Sequence, residues 1–245
     1  MMKKLVIGLF ALLPTFAMAA GPSVPLLESN HDLTDKASLQ RGAKLFMNYC
    51  LGCHQMQYQR YERTFRDIGI PVEIGKETLI FDDSKVGNHI KNSIKIDDAA
   101  TWFGAPPPDL TLVARVRGAD WIYTYLKSFY VDESRPFGVN NSVFPSVGMP
   151  HVLQELQGVP TARFEEVEEH GVKVRKVVEI TTDGSGELSS DEYDHAVRDL
   201  TNFMAYVGEP TRLQSEAMGY KVLGFLVILF ILAFFLKKEY WRDVH

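Results

Sequence analysis

The chain has 245 residues, 26 of them Lys or Arg and 31 Asp or Glu, for a formal charge of −5. That acidic balance argues against nucleic acid as a partner and allows attraction to a basic protein, although solubility alone accounts for such a charge. The length suits one domain with a true core, and with only two cysteines their spacing decides what they do.

Lys3 and Lys4 precede an apolar run from Leu5 to Leu13, and Ala17-Met18-Ala19 then has the small-x-small form of a signal-peptidase site. Residues 1–19 are read as an export signal; an uncleaved anchor is the alternative, but the run is short for a span. Cleavage before Ala20 would remove two lysines and leave 24 basic against 31 acidic residues, a charge of −7.

From Asp35 to Tyr49, the residues Leu39, Gly42, Leu45, Phe46 and Tyr49 recur at helical spacing with no proline between them. Gly42 weakens such a helix, so the pattern predicts a close approach of another helix there. The segment leads into Cys50-Leu51-Gly52-Cys53-His54. Cysteines two residues apart suit a redox disulfide, half a zinc site, or thioether attachment of haem. No further cysteine completes the usual zinc sets, and the helical lead-in differs from the strand-to-helix junction of a redox dithiol. His54 directly after the second cysteine is the haem pattern. Both thiols fall on one side of a turn, and the imidazole follows as proximal ligand of the iron.

A second axial ligand is sought among the eight methionines. Met1, Met2 and Met18 belong to the signal, Met47 and Met56 are too near the motif, Met204 lies on an apolar stripe, and Met218 abuts an apolar segment. Met149 remains, in Phe144-Pro145-Ser146-Val147-Gly148-Met149-Pro150, where glycine and proline bend the backbone. His89 and His151 are the rivals. His/Met ligation would raise the reduction potential and leave no open position on the iron, so the site would carry electrons rather than make bonds.

Arg163 to Ile180 alternates apolar and charged residues around His170-Gly171 and predicts a hairpin, with Glu165, Glu166, Glu168 and Glu169 facing Lys173, Arg175 and Lys176. It reads first as a self-neutralised surface element; a docking face for a basic protein is the sharper alternative. Ser189 and Glu192 form a capping box, after which Tyr193, Ala196, Val197, Leu200, Phe203, Met204 and Val207 make an apolar stripe that ends at Gly208 and Pro210. Gly219 to Leu236 is apolar apart from Lys221, and 18 residues at the helical rise span about 27 Å, the thickness of a bilayer core. Tyr220 stands at one rim and Tyr240 with Trp241 at the other. Lys237, Lys238 and Arg242 mark the cytoplasmic side, which leaves the body outside.

Four stretches together resemble the cytochrome c1 family: Arg41-Gly42 through His54; Gly104-Ala105-Pro106-Pro107-Pro108-Asp109-Leu110-Thr111 with Ala114-Arg115; Phe144 through Pro150; and Tyr206-Val207-Gly208-Glu209-Pro210 leading through Met218-Gly219 to the anchor. The first is shared by all c-type cytochromes, whereas the second and fourth are far more specific. Met149 lies 95 positions after His54 (149 minus 54), further than small soluble c cytochromes leave, which also fits. The resemblance implies that Pro107 and Pro108 pack along the haem edge, Arg115 pairs with a propionate, and Met149 is the sixth ligand. Arg117 is near enough to exchange roles with Arg115.

The expected fold is mainly α, a c-type cytochrome fold with irregular insertions, a small β-hairpin and one C-terminal transmembrane helix. Its parts are the signal at 1–19, a periplasmic domain at 20–218 carrying one covalent haem c, an inner-membrane anchor at 219–236 and a cytoplasmic tail at 237–245. The expected function is transfer of one electron from a Rieske iron-sulfur protein to a cytochrome c, beside a cytochrome b and membrane lipid; the catalysed reaction would belong to the whole complex. Two alternatives stand: an anchored donor cytochrome of an oxidase or nitrogen-oxide reductase, and a non-haem dithiol module.

Overall fold

Asp35 opens the first helix by accepting a hydrogen bond from the Ser38 amide at 3.0 Å, and α1 runs Lys36–Leu45. The computed structural model describes residues 24–169 and 172–242, so the export signal read at 1–19 lies outside the described residues. The ladder widens after Leu45: Phe46–Cys50 forms a π-type turn, with the Leu51 amide reaching the Phe46 carbonyl at 3.0 Å. The expected helix to Tyr49 is thus two geometries in series. Such widened turns gather at functional sites, and this one delivers Cys50.

Short elements follow: β1 (Met56–Arg60), α2 (Tyr61–Ile68), α3 (Val72–Leu79), β2 (His89–Ile90), α4 (Ile96–Phe103), α5 (Val113–Arg117), α6 (Ala119–Lys127), β3 (Phe129–Val131), β4 (Val139–Asn141) and α7 (Gln154–Gln157). The hairpin β5 (Pro160–Glu169) and β6 (Val172–Thr182) precedes α8 (Ser190–Gly208) and α9 (Arg212–Tyr240). About half of the described chain is helical. Its strands pair antiparallel in twos, β1 with β2, β3 with β4 and β5 with β6. The fold class read from the sequence is observed, with two further small sheets beside the hairpin.

The core forms where α1 crosses α8. Leu39, Ala43 and Phe46 meet a buried row of Val197, Leu200, Phe203 and Val207, and the close approach predicted at Gly42 is there. A Cβ on Gly42 would meet Phe203 Cβ at 2.7 Å, so no larger residue fits. Arg41 grips Asp199 with two bonds, Nε to Oδ2 at 2.6 Å and Nη2 to Oδ1 at 3.0 Å. The capping box predicted at Ser189 starts α8: Ser189 Oγ accepts from the Glu192 amide at 3.4 Å, and Glu192 Oε2 accepts from the Ser189 amide at 2.9 Å. A smaller cluster of Phe129, Val139 and Val147 lies beside the main core.

The hairpin register sets Glu165 opposite Lys176, Glu166 opposite Arg175 and Glu168 opposite Lys173, as the alternation predicts, while Glu169 stands opposite Val172. Arg163 reaches Glu179 at 3.0 Å and also binds Glu165, and the Arg175 guanidinium sits 4.0 Å from the Phe164 ring centre. Opposite charges therefore largely answer one another across the strands. At the C-terminus α9 is one unbroken helix that starts at Arg212, seven residues before the apolar run read from Gly219. Among the described residues it is the one helix long and apolar enough to cross a membrane.

Candidate functional site

The two cysteines share one turn. The Cys53 amide reaches the Cys50 carbonyl at 3.1 Å and the His54 amide reaches the same carbonyl at 2.8 Å, so both thiols and the imidazole issue from a single loop of backbone. Both cysteines are free thiols. Cys50 is buried in the main core beside Met47, and burial, with Cys53 adding to it, pushes its thiol up to about 12. A redox dithiol needs an exposed, electropositive setting that lowers the thiol, which is the reverse of what Cys50 has.

His54 is held from across the chain. Its Nδ1 lies 2.8 Å from the carbonyl oxygen of Pro108. A carbonyl only accepts, so Nδ1 carries the proton and Nε2 presents its lone pair. Burial lowers the imidazole's proton affinity, against the opposite pull of the Pro108 carbonyl and Asp109, and keeps the ring in the neutral form that binds metal. The loop that brings Pro108 is clamped by its neighbour. Asp109 accepts from the Gln57 amide and the Thr111 amide, each at 2.9 Å, and the Leu110 amide binds the Gln55 carbonyl at 2.8 Å. Pro108 thus stands beside the histidine, with Pro107 next to it in the chain, and both have the fixed φ of proline.

Met149 ends a loop whose shape is set by two asparagines. Asn141, fully buried, accepts from the amides of Val143 (2.9 Å) and Phe144 (3.1 Å) and donates to the Tyr125 carbonyl at 2.8 Å. Asn140 accepts from the Ser146 amide at 2.9 Å, and Ser146 takes a left-handed φ of 63°. A Cβ on Gly148 would stand 3.0 Å from the Phe103 carbonyl, so glycine lets this loop lie close to α4. The result is a half-buried Met149 packed with Phe129, Val139 and Val147, its sulfur accepting a hydrogen bond from the Tyr125 hydroxyl at 3.3 Å. Tyr125 also packs against the main core, and so bridges the two hydrophobic clusters.

Of the two rival ligands, one has its ring engaged. His151 stacks on Phe129 with ring centres 4.8 Å apart, and its Nε2 lies 2.6 Å from Gln157 Oε1; burial pushes it down to about 4. His89 sits in the short β1–β2 sheet opposite Arg60. Arg115 lies on α5 with its side chain largely exposed, 3.7 Å from Glu209 Oε1. Arg117 lies over the Trp121 ring, 5.2 Å from its centre, and Trp121 in turn stacks on Tyr125 at 5.1 Å.

Two free thiols on one turn, an imidazole of fixed tautomer and a thioether on the neighbouring smaller cluster are a donor set that could hold an iron porphyrin. Reasoning from sequence missed the Pro108 carbonyl, Asp109 as clamp and Tyr125. The row Trp121, Tyr125 and Phe129 at four-residue spacing was the available signal for the last.

The sequence matches the profile of the Cytochrome C1 family over residues 28–244. It is 54% identical to a cytochrome c1 of Allochromatium vinosum, over the whole of both chains. A Nitrosomonas europaea protein named ammonia monooxygenase gamma subunit is 41% identical, over all of this chain and 99% of its own. The mitochondrial cytochrome c1 heme protein of Saccharomyces cerevisiae is 27% identical, over 86% of this chain and 68% of its own.

Proposed function

Because this chain belongs to the Cytochrome C1 family, haem-bearing electron carriers, we propose that it takes one electron from a Rieske iron-sulfur protein and passes it to a cytochrome c, within an assembly with a cytochrome b. Cys50 and Cys53 would attach one haem c through thioethers, and His54 Nε2 and Met149 Sδ would hold its iron. When bound, the haem supplies a one-electron iron couple; the protein supplies ligands, burial and orientation.

The observation that carries this reading is the 2.8 Å contact from His54 Nδ1 to the Pro108 carbonyl, which fixes the tautomer an iron ligand needs and sets the proline loop against the attachment turn. Pro107 and Pro108 line the haem edge. Arg115 is offered to a propionate, for which its planar fork is suited, and its side chain is exposed, with Glu209 3.7 Å away. The 219–236 stretch of α9 anchors the domain, residues 20–218 lie on the periplasmic side after loss of the 1–19 signal, and 237–245 faces the cytoplasm. Lys237, Lys238 and Arg242 support that orientation.

The Nitrosomonas relative's name favours a second reading, in which the same carrier serves a monooxygenase. Purification of the native complex separates the two. Cytochrome b and a Rieske subunit, with b- and c-type bands in the reduced-minus-oxidised spectrum, support the first; a co-purifying monooxygenase supports the second. Haem that washes out on denaturation would remove covalent attachment.

A further inference from the structure

We propose that Tyr125 is a positioning residue that tunes the electron affinity of the site through the Met149 sulfur. The inference rests on Met149 being an axial ligand. Tyr125 stands on the second turn of α6, where Trp121 stacks against one side of its ring at 5.1 Å and Phe129 meets it edge-on at 5.2 Å. Asn141 ties the Tyr125 carbonyl to the methionine loop at 2.8 Å, so ring and loop are fixed to one another by a backbone bond as well as by packing. The hydroxyl therefore has a set direction, and it points its proton at Met149 Sδ, 3.3 Å away.

A thioether sulfur has two lone pairs. One serves a metal; the other is a weak acceptor, and this phenol occupies it. Donation from Tyr125 draws electron density off the sulfur and makes it a poorer donor. Ferric iron depends more on that donation than ferrous iron does, so the hydrogen bond favours the reduced state and raises the potential. Bonding around a ligand sulfur is one of the levers by which proteins set redox potentials. A second consequence is orientational: the methionine side chain has three rotatable bonds, and the phenol gives its sulfur a fixed partner.

The experiment is Tyr125→Phe in the full chain within its native complex, in detergent, with Met149→Leu beside it. Phenylalanine keeps the ring contacts and removes only the hydroxyl. The expected result is a retained sulfur-to-iron optical band with a reduction equilibrium constant about threefold lower, roughly 30 mV at 59 mV per tenfold for one electron. A retained band with an unchanged potential would overturn the role of Tyr125 while leaving Met149 as ligand. A band that survives Met149→Leu would overturn the ligation, and the inference with it. Should Tyr125→Phe fail to assemble, proton NMR of the reduced wild-type protein decides: a slowly exchanging phenolic proton close to the Met149 methyl group supports the proposal, and its absence overturns it.

Discussion

The carbonyl oxygen of Asp199 lies 2.0 Å from where a Cβ on Gly42 would stand. The two helices that meet there carry the cysteine turn and the buried face of the core, and they touch through backbone. Gly42→Ala cannot be absorbed by rotating a side chain, because the obstacle is main chain. The helices must separate, which opens the contact between Phe46 and Phe203. We expect a loss of about 1–3 kcal/mol in stability despite alanine's better helix propensity, measured by chemical denaturation of the haem-loaded protein. A stabilised variant would contradict the packing.

Asp109→Ala should loosen the loop that meets His54. It removes the acceptor of both the Gln57 and Thr111 amides, and Thr111 is itself buried. A cost of about 1–3 kcal/mol follows for donors left without a partner. Thermal unfolding reads it, and amide exchange at Gln57 and Thr111 should quicken.

Met149→Leu conserves volume and should cost less than about 1.5 kcal/mol in stability. It should nevertheless abolish the sulfur-to-iron band and lower the potential. An intact band would mean that another side chain ligates.

Asp194 holds α6 to α8. Burial pushes its carboxyl up, but hydrogen bonds from Lys127 and Tyr123, together with the charges of Lys127 and Arg198, outweigh this and leave it below its ordinary value of 3.8. Its folded value being depressed, the stabilisation is present in full above about pH 4 and is lost as the pH falls further. Asp194→Asn should therefore destabilise the protein at pH 7 by about 1–2 kcal/mol and by progressively less as the pH drops below 4. Equal effects at pH 7 and pH 3 would contradict this origin.

The elements legible from sequence were those with a period or a fixed local chemistry. The α8 stripe and its Ser189–Glu192 box, the alternating hairpin and the apolar α9 all emerged where expected, because local pattern and tertiary burial agree there. The widening after Leu45 did not, since a π-type turn has no signature of its own in the residues. The sheet contacts of His89 and the stack of His151 on Phe129 depend on which loops meet, and no spacing reveals that. The same holds for the Pro108 carbonyl: Pro108 was assigned by resemblance to the haem edge, but the partner of its oxygen lies 54 residues away. Arg115 was assigned by resemblance alone, and its neighbour Glu209 entered only with the fold.

Only Glu209, Pro210 and Thr211 separate the end of α8 from the start of α9. The Glu209 amide bonds the Tyr206 carbonyl at 3.1 Å and the Arg212 amide bonds the Glu209 carbonyl at 3.0 Å, so even this junction is stiff. A junction of three residues, closed at both ends by backbone hydrogen bonds, leaves little slack between the packed domain and the long apolar helix, so a displacement of one is handed directly to the other.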